Sequence, residues 1–236
     1  MSAALIVFFK APEVGKVKTR LLPALSPDDA TRLCACFIED TFEKASSLPV
    51  QVLGFVAGTL DEESELARFL ARKNVRLERQ VGNDLGERLS NAFRACFERG
   101  FARVCVVGTD SPDLPLAIVE RAFETLADER PTLVIAGASD GGYVLLGMNR
   151  YFPEAFQNVP YSSSQTYEAT LAQLRATRAN VVELETWHDI DEPQDLERLL
   201  NSPFPNVAPK SIDFLKRLSM SGRIGASEST KRVQNQ

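Results

Sequence analysis

The run Val104-Cys105-Val106-Val107-Gly108, followed at once by Thr109-Asp110-Ser111-Pro112-Asp113-Leu114-Pro115, restricts this chain more than any other stretch. Four β-favouring apolar residues stopped by a glycine describe a strand buried on both faces, the habit of a parallel sheet covered by helices. Open sheets of that kind collect ligands at the carboxyl ends of their strands, where Asp110 is released. Oxygen donors there suit Mg2+ or Mn2+, which take one or two protein carboxylates and otherwise water and phosphates. Asp113, just ahead of Leu-Pro, reads better as a cap of the following helix. For Asp110 in isolation the metal and capping readings stand level.

The chain on either side alternates strand and helix patterns. Leu5 to Phe9, Val50 to Val56, Val75 to Leu77, Thr132 to Ala136, Val144 to Met148 and Val181 to Leu184 read as strands. Helices are expected from Ser26-Pro27-Asp28-Asp29 onward with Leu33, Phe37 and Phe42 on the core face, over about 61–71, and after Asp84, whose spacing to Glu87 fits a capping box. Further helices are expected over about 116–127, after Tyr161-Ser-Ser-Ser-Gln-Thr166, and after Asp191-Glu-Pro193, where Asp191 is the expected N-cap. This predicts an α/β three-layer αβα sandwich with a mostly parallel sheet. The domain is expected to span 1–202, with 203–236 a mobile basic tail that holds one short amphipathic turn over 212–218.

Charge and cysteine usage narrow the partners. The net charge of −5 divides into +4 after Ser202 and −9 before it. An acidic body argues against a nucleic-acid partner, whose phosphates need lysine and arginine. The apolar start is too short to span a membrane and lacks the basic start of a signal peptide. Cys34, Cys36, Cys96 and Cys105 fall on apolar faces with no paired spacing, so they read as reduced core thiols of a cytoplasmic protein rather than as a zinc site.

Three further stretches carry chemistry. Lys10-Ala-Pro and Gly15-Lys16-Val-Lys18-Thr-Arg20 lack helical periodicity. If that stretch is extended, Lys16, Lys18 and Arg20 share a side, and Gly15 lets the backbone approach a polyphosphate; the competing reading is a solvated charge run. Gln80 and Gly82 place an amide beside bare backbone, suited to the edge of a base. Asp140-Gly141-Gly142-Tyr143 reads equally as a hairpin turn or as a substrate contact. Asp191 is a second carboxylate that could meet Asp110 across a metal, with Asp189 in reserve. His188 is the single histidine, and a lone histidine beside Trp187 is more often a structural or surface residue than a base, so a serine hydrolase is a poor reading.

Taken together, Phe-Lys10-Ala-Pro-x-x-Gly15-Lys16-x-Lys18-Thr-Arg20-Leu, Gly82-x-Asp-Leu-Gly-Glu-Arg88, Gly108-Thr-Asp110-Ser-Pro-Asp113-Leu-Pro, Asp140-Gly-Gly-Tyr143, Pro160-Tyr-Ser-Ser and Asp189-Ile-Asp191-x-Pro-x-Asp195-Leu occur in an order that resembles one family. It is the bacterial glycosyltransferase-A-type family long described as a domain of unknown function, whose members are often named arsenosugar-biosynthesis glycosyltransferases. More distantly the chain is similar to 2-phospho-L-lactate and molybdenum cofactor guanylyltransferases. The resemblance implies a nucleotide-diphospho-sugar transferase-like fold with a mixed sheet of about seven strands. It implies that Lys10, Lys16, Lys18 and Arg20 meet phosphates, Gln80 and Gly82 the base, Asp110 and Asp191 the metal, and Asp140, Gly141, Gly142 and Tyr143 the acceptor or sugar. Tyr161 stands where that family commonly has Trp. The expected activity is Mg2+- or Mn2+-dependent glycosyl transfer from a nucleotide-sugar to a small-molecule acceptor, with Asp110, Lys18 and Arg20 catalytic. The alternatives are nucleotidyl transfer from NTP to a phosphorylated small molecule, with release of pyrophosphate, and nucleotide binding without turnover.

Overall fold

The computed structural model describes residues 2–202 and 206–222. Its centre is a seven-stranded mixed sheet in the order β3-β2-β1-β4-β6-β5-β7. The strands are β1 (Ala3–Lys10), β2 (Gln51–Ala57), β3 (Arg76–Arg79), β4 (Arg103–Gly108), β5 (Thr132–Ala138), β6 (Tyr143–Met148) and β7 (Asn180–Trp187). All neighbouring pairs run parallel except those of β6, which is antiparallel to β4 and β5. Side-chain alternation sorts the faces: in β1, Leu5, Val7 and Phe9 join one core while Ala4 and Ile6 join the other. Helices α1 (Pro27–Ala45), α2 (Glu65–Arg72) and α4 (Leu116–Thr125) cover the first face. Helices α3 (Leu85–Glu98) and α5 (Thr166–Ala176) cover the second. The expected three-layer sandwich is present.

Helix starts follow the expected capping chemistry in part. Ser26 accepts from the Asp29 N–H at 3.2 Å, and Asp84 accepts from the Glu87 N–H at 2.8 Å. The helix expected from about residue 61 begins at Glu65, because Ser64 caps it by accepting from the Ala67 N–H. Two capping expectations are corrected. Helix α4 has Pro115 at its N-cap and no side-chain cap, so Asp113 does not start it. Helix α6 (Pro193–Leu200) is capped by Glu192 in a reciprocal box with Asp195, which releases the Asp191 carboxylate.

The carboxyl-terminal end also departs from expectation. Residues 209–220 are not a mobile tail: they form α7 (Pro209–Met220), a 12-residue helix on the outer face of α1 and α6. Its Leu215 and Leu218 share one buried core with Leu33 and Phe37 of α1, so α1 is apolar toward both the sheet and α7. The buried Asp40 of α1 holds the start of α7, accepting from the Lys210 and Ser211 N–H groups and the Ser211 hydroxyl at 3.0, 2.9 and 2.6 Å. The remainder of the expected tail, 203–205 and 223–236, lies outside the described residues.

Candidate functional site

Strands β1, β2 and β4 end together, with Phe8 opposite Gly108 and Lys10 opposite Ala57. Their carboxyl ends, the β5–β6 turn and the segment after β7 enclose a cavity of about 830 Å3. Lys10, Lys16, Lys18, Arg20, Gln80, Asp110, Asp140, Gly142, Tyr143 and Asp191 all line it. Of the residues singled out from sequence, Gly15, Gly82 and Gly141 do not. Arg88 of α3 and Tyr161, Ser162, Ser163 and Ser164 of the loop before α5 line it as well; the first three of these loop residues and Arg88 fall in the Gly82–Arg88 and Pro160-Tyr-Ser-Ser motifs, which give them no individual role. Cys34 reaches it too, as a free thiol that burial pushes up to about 12 and hence a protonated one at neutral pH.

The basic segment is not extended. Residues 14–18 turn, Lys18 adopts a left-handed backbone with φ 47° and ψ 39°, and Thr19–Leu21 close one 3-10 turn. This geometry sends the Lys18 side chain inward rather than along a shared strand face. Its ammonium donates to Asp110 Oδ1 at 2.5 Å, Asp191 Oδ1 at 2.9 Å and the Ile190 carbonyl at 2.8 Å, so all three donors are used. The Lys18 side chain is 5% exposed, against 58% for Asp110 and 35% for Asp191. Burial alone pulls the Lys18 pKa down, but the two carboxylates outweigh it and hold the group above its ordinary range. The knot is closed by the Ile190 N–H donating to the Asp110 carbonyl at 2.8 Å. Arg20 approaches Asp191 more loosely, at 3.9 Å, while Lys10 donates to the Lys16 carbonyl and Lys16 pairs with Glu13.

Contacts of Asp113 and Ser111 brace the segments that carry this knot. Asp113, 3% exposed, accepts from the Trp187 indole at 3.2 Å and pairs with His188 Nε2 at 2.9 Å. Burial would raise its pKa, yet these two partners hold it below the usual carboxylate value. Asp113 therefore ties the segment after β4 to the end of β7. Ser111 donates to Asp189 at 2.5 Å, and burial, with Asp110, Asp140 and Asp191 nearby, pushes the Asp189 carboxyl up to about 6.

The remaining sequence expectations resolve by their hydrogen bonds. The Gln80 amide donates to the Phe9 and Phe55 carbonyls, so its NH2 is committed to the ends of β1 and β2. Gly82 has φ +145°, and a Cβ there would meet the Arg88 nitrogen at 2.7 Å. Gly141 and Gly142 form the β5–β6 hairpin turn, in which Asp140 Oδ1 accepts from the Gly142 N–H. Of the two readings of that turn, the hairpin is present, with Asp140 and Tyr143 still facing the cavity.

Asp110 and Asp191 fit a divalent ion by number and charge. Both carboxylates already converge on one cation, and neither is consumed as a helix cap. Among the described residues no group of three or more His, Cys, Asp or Glu is arranged as a closed metal cage. The set therefore suits Mg2+ or Mn2+ completed by water and phosphate oxygens, not a structural ion. Among the described residues no helix is long and apolar enough to cross a membrane.

Residues 30–163 match the family model described as "Uncharacterized protein conserved in bacteria (DUF2064)". A solved structure from Desulfovibrio desulfuricans G20, described as a candidate nucleotide-diphospho-sugar transferase, is 30% identical over 93% of this chain and 96% of its own, with a TM-score of 0.81. A cytidylyltransferase from Leptospira borgpetersenii shares the fold at 12% identity, over 96% of this chain and 98% of its own, with a TM-score of 0.57. A Mycobacterium tuberculosis protein solved as a complex with manganese does so at 19% identity, over 86% of this chain and 100% of its own, with a TM-score of 0.52. No protein of curated function matches the sequence.

Proposed function

We propose that the chain, which belongs to the DUF2064 family of uncharacterized bacterial proteins, is a nucleotide-using transferase that moves a glycosyl group from a nucleotide-diphosphate sugar. One observation carries this reading: Lys18 draws Asp110 and Asp191 together at the edge of a cavity that also holds Lys10, Lys16 and Arg20. Negative charge gathers on the departing diphosphate in the transition state. Fixed cations in a partly enclosed site stabilise it without having to reorganise. Lys18 and Arg20 would face the leaving phosphates, while Lys10 and Lys16 would hold the remainder. Asp110 and Asp191 would hold Mg2+ or Mn2+, which when bound supplies Lewis-acid stabilisation of the diphosphate. The similarity to the D. desulfuricans protein supports a sugar as the transferred group.

The test is product analysis with UDP-, GDP- and CDP-sugars, Mn2+ and a panel of small acceptors. The expected product is a nucleoside diphosphate. Pyrophosphate release from an NTP and a phosphorylated acceptor would move the assignment to nucleotidyl transfer. Nucleotide binding with no metal-dependent turnover would reduce the protein to a binding module.

A further inference from the structure

The stretch Gly82-x-Asp84-Leu85-Gly86-Glu87-Arg88 uses most of its residues to hold its own shape. Asp84 caps α3, and Glu87 accepts from the Asn83 N–H and side-chain amide at 2.8 and 2.9 Å. Gly86 lies so close to the loop before α5 that a Cβ there would come within 2.7 Å of the Tyr161 ring and 2.9 Å of the Phe156 carbonyl oxygen. Gly82 folds back onto Arg88, whose Nε donates to the Gly82 carbonyl at 3.0 Å. The guanidinium is therefore set in place before any ligand arrives, which lowers the entropy lost on binding.

The far end of that guanidinium is left unused. Of the lysines and arginines that line the cavity, Lys16, Lys18 and Arg20 pair with carboxylates and Lys10 donates to the Lys16 carbonyl. Arg88, by contrast, leaves both outer nitrogens without a hydrogen bond or ion pair among the described residues. The side chain is half-buried, and Leu85, one turn earlier on the same helix, lines the cavity with it, as do Phe8 and Leu89. An unneutralised cation beside apolar surface calls for an anion, and the paired outer nitrogens of arginine match the two oxygens of a carboxylate or phosphate. The donor's diphosphate has other partners: Lys10, Lys16, Lys18 and Arg20, all from the end of β1 and the turn after it, with the divalent ion at Asp110 and Asp191. Arg88 belongs to α3, on the other side of the sheet from α1.

We propose that Arg88 anchors an anionic group, a carboxylate or a phosphate, on the molecule that receives the transferred group. The proposal rests on the transferase reading above, which assigns the remaining cations to the nucleotide. It makes Arg88 a specificity determinant: an acceptor without the anion loses the charge-assisted pair and binds weakly.

The test uses the full chain saturated with Mg2+ and UDP, GDP or CDP, beside Arg88→Gln and Arg88→Lys. Phosphorus NMR reads binding of inorganic phosphate and glucose 6-phosphate, and saturation-transfer NMR reads glucuronate against glucose. Wild type is expected to bind at least one of the anions more tightly than glucose, and whether the phosphates or glucuronate bind identifies the anion. Arg88→Gln should bind that anion at least about tenfold more weakly while keeping the wild-type nucleotide affinity. Arg88→Lys, which retains the charge, should recover part of the anion affinity, as replacement of a merely structural arginine would not. No anion binding to the nucleotide-saturated wild type, equal anion binding by Arg88→Gln, or no recovery in Arg88→Lys would overturn the proposal. Loss of nucleotide affinity in Arg88→Gln to the same extent as anion affinity would also overturn it, by placing Arg88 on the donor. Absence of nucleotide binding to wild type, while anions still bind through Arg88, would instead overturn the transferase reading alone.

Discussion

The ammonium of Lys18 lies 2.5 Å from Asp110 Oδ1, buried beneath a carboxylate that itself reaches solvent. With Asp191 as its second partner, Lys18 stands where a cation between two acids would stand. Asp110 and Asp191 would hold a divalent ion in competition with the Lys18 ammonium, which a bound phosphate could accept instead. Metal and nucleotide binding are therefore expected to be coupled.

Lys18→Met should expose that coupling. Removing the resident charge while both acids stay hydrated should raise Mn2+ affinity without nucleotide by about tenfold or more. It should also weaken nucleotide binding and turnover. Electron paramagnetic resonance of free Mn2+ reads the first effect. Unchanged Mn2+ affinity would mean that Lys18 does not compete for the site.

Asp113→Ala removes the acceptor of Trp187 and His188 at the seam between β4 and β7. Leaving those donors without it should cost about 1–3 kcal/mol in urea denaturation. Because the folded state lowers the Asp113 pKa, its contribution is present above the unfolded carboxylate value of about 3.9 and is lost as pH falls through the lower folded value. The stability difference between wild type and Asp113→Asn should accordingly shrink as pH falls through that range.

Gly141→Ala places a methyl group against Ser164 backbone at a residue with φ +92°. Strain of this kind costs about 1–3 kcal/mol, and relief requires the hairpin and the 161–166 loop to part. Limited proteolysis should then cut the 161–166 loop faster than in wild type, with the α1–α7 core unaffected.

Leu215→Ala tests whether α7 is part of the folded unit. Its fully buried side chain sits among Leu33, Phe37 and Leu199, so the loss should be about 2–5 kcal/mol in a single cooperative transition. A change near zero, with unaltered cooperativity, would make α7 an appendage.

Much of this architecture was legible because the sheet strands alternate or run apolar with period-2 logic, and Ser26 and Asp84 announce their helices by local chemistry. Convergence of Asp110 and Asp191 was legible only through ordered motifs, since the two lie far apart in the chain. What local pattern could not supply was competition. Asp191 and Asp113 both look like caps, but Glu192 takes the first role and Pro115 the second position, which frees both acids for long-range partners. The turn over Lys16–Arg20 is not legible in the sequence, because a left-handed Lys18 has no marker in composition. Helix α7 was hidden because its buried partners lie on the outer face of α1, where a solvated surface is the default.

The most direct measurement is Mn2+ binding and turnover by Asp110→Asn and Asp191→Asn beside wild type, with UDP, GDP and CDP as nucleotide probes. Each variant should keep its fold, bind Mn2+ more weakly in the presence of nucleotide, and lose about a thousandfold in rate, equivalent to about 4 kcal/mol of barrier. Asp110→Asn with Mn2+ affinity, nucleotide affinity and turnover equal to wild type would contradict the account at its centre.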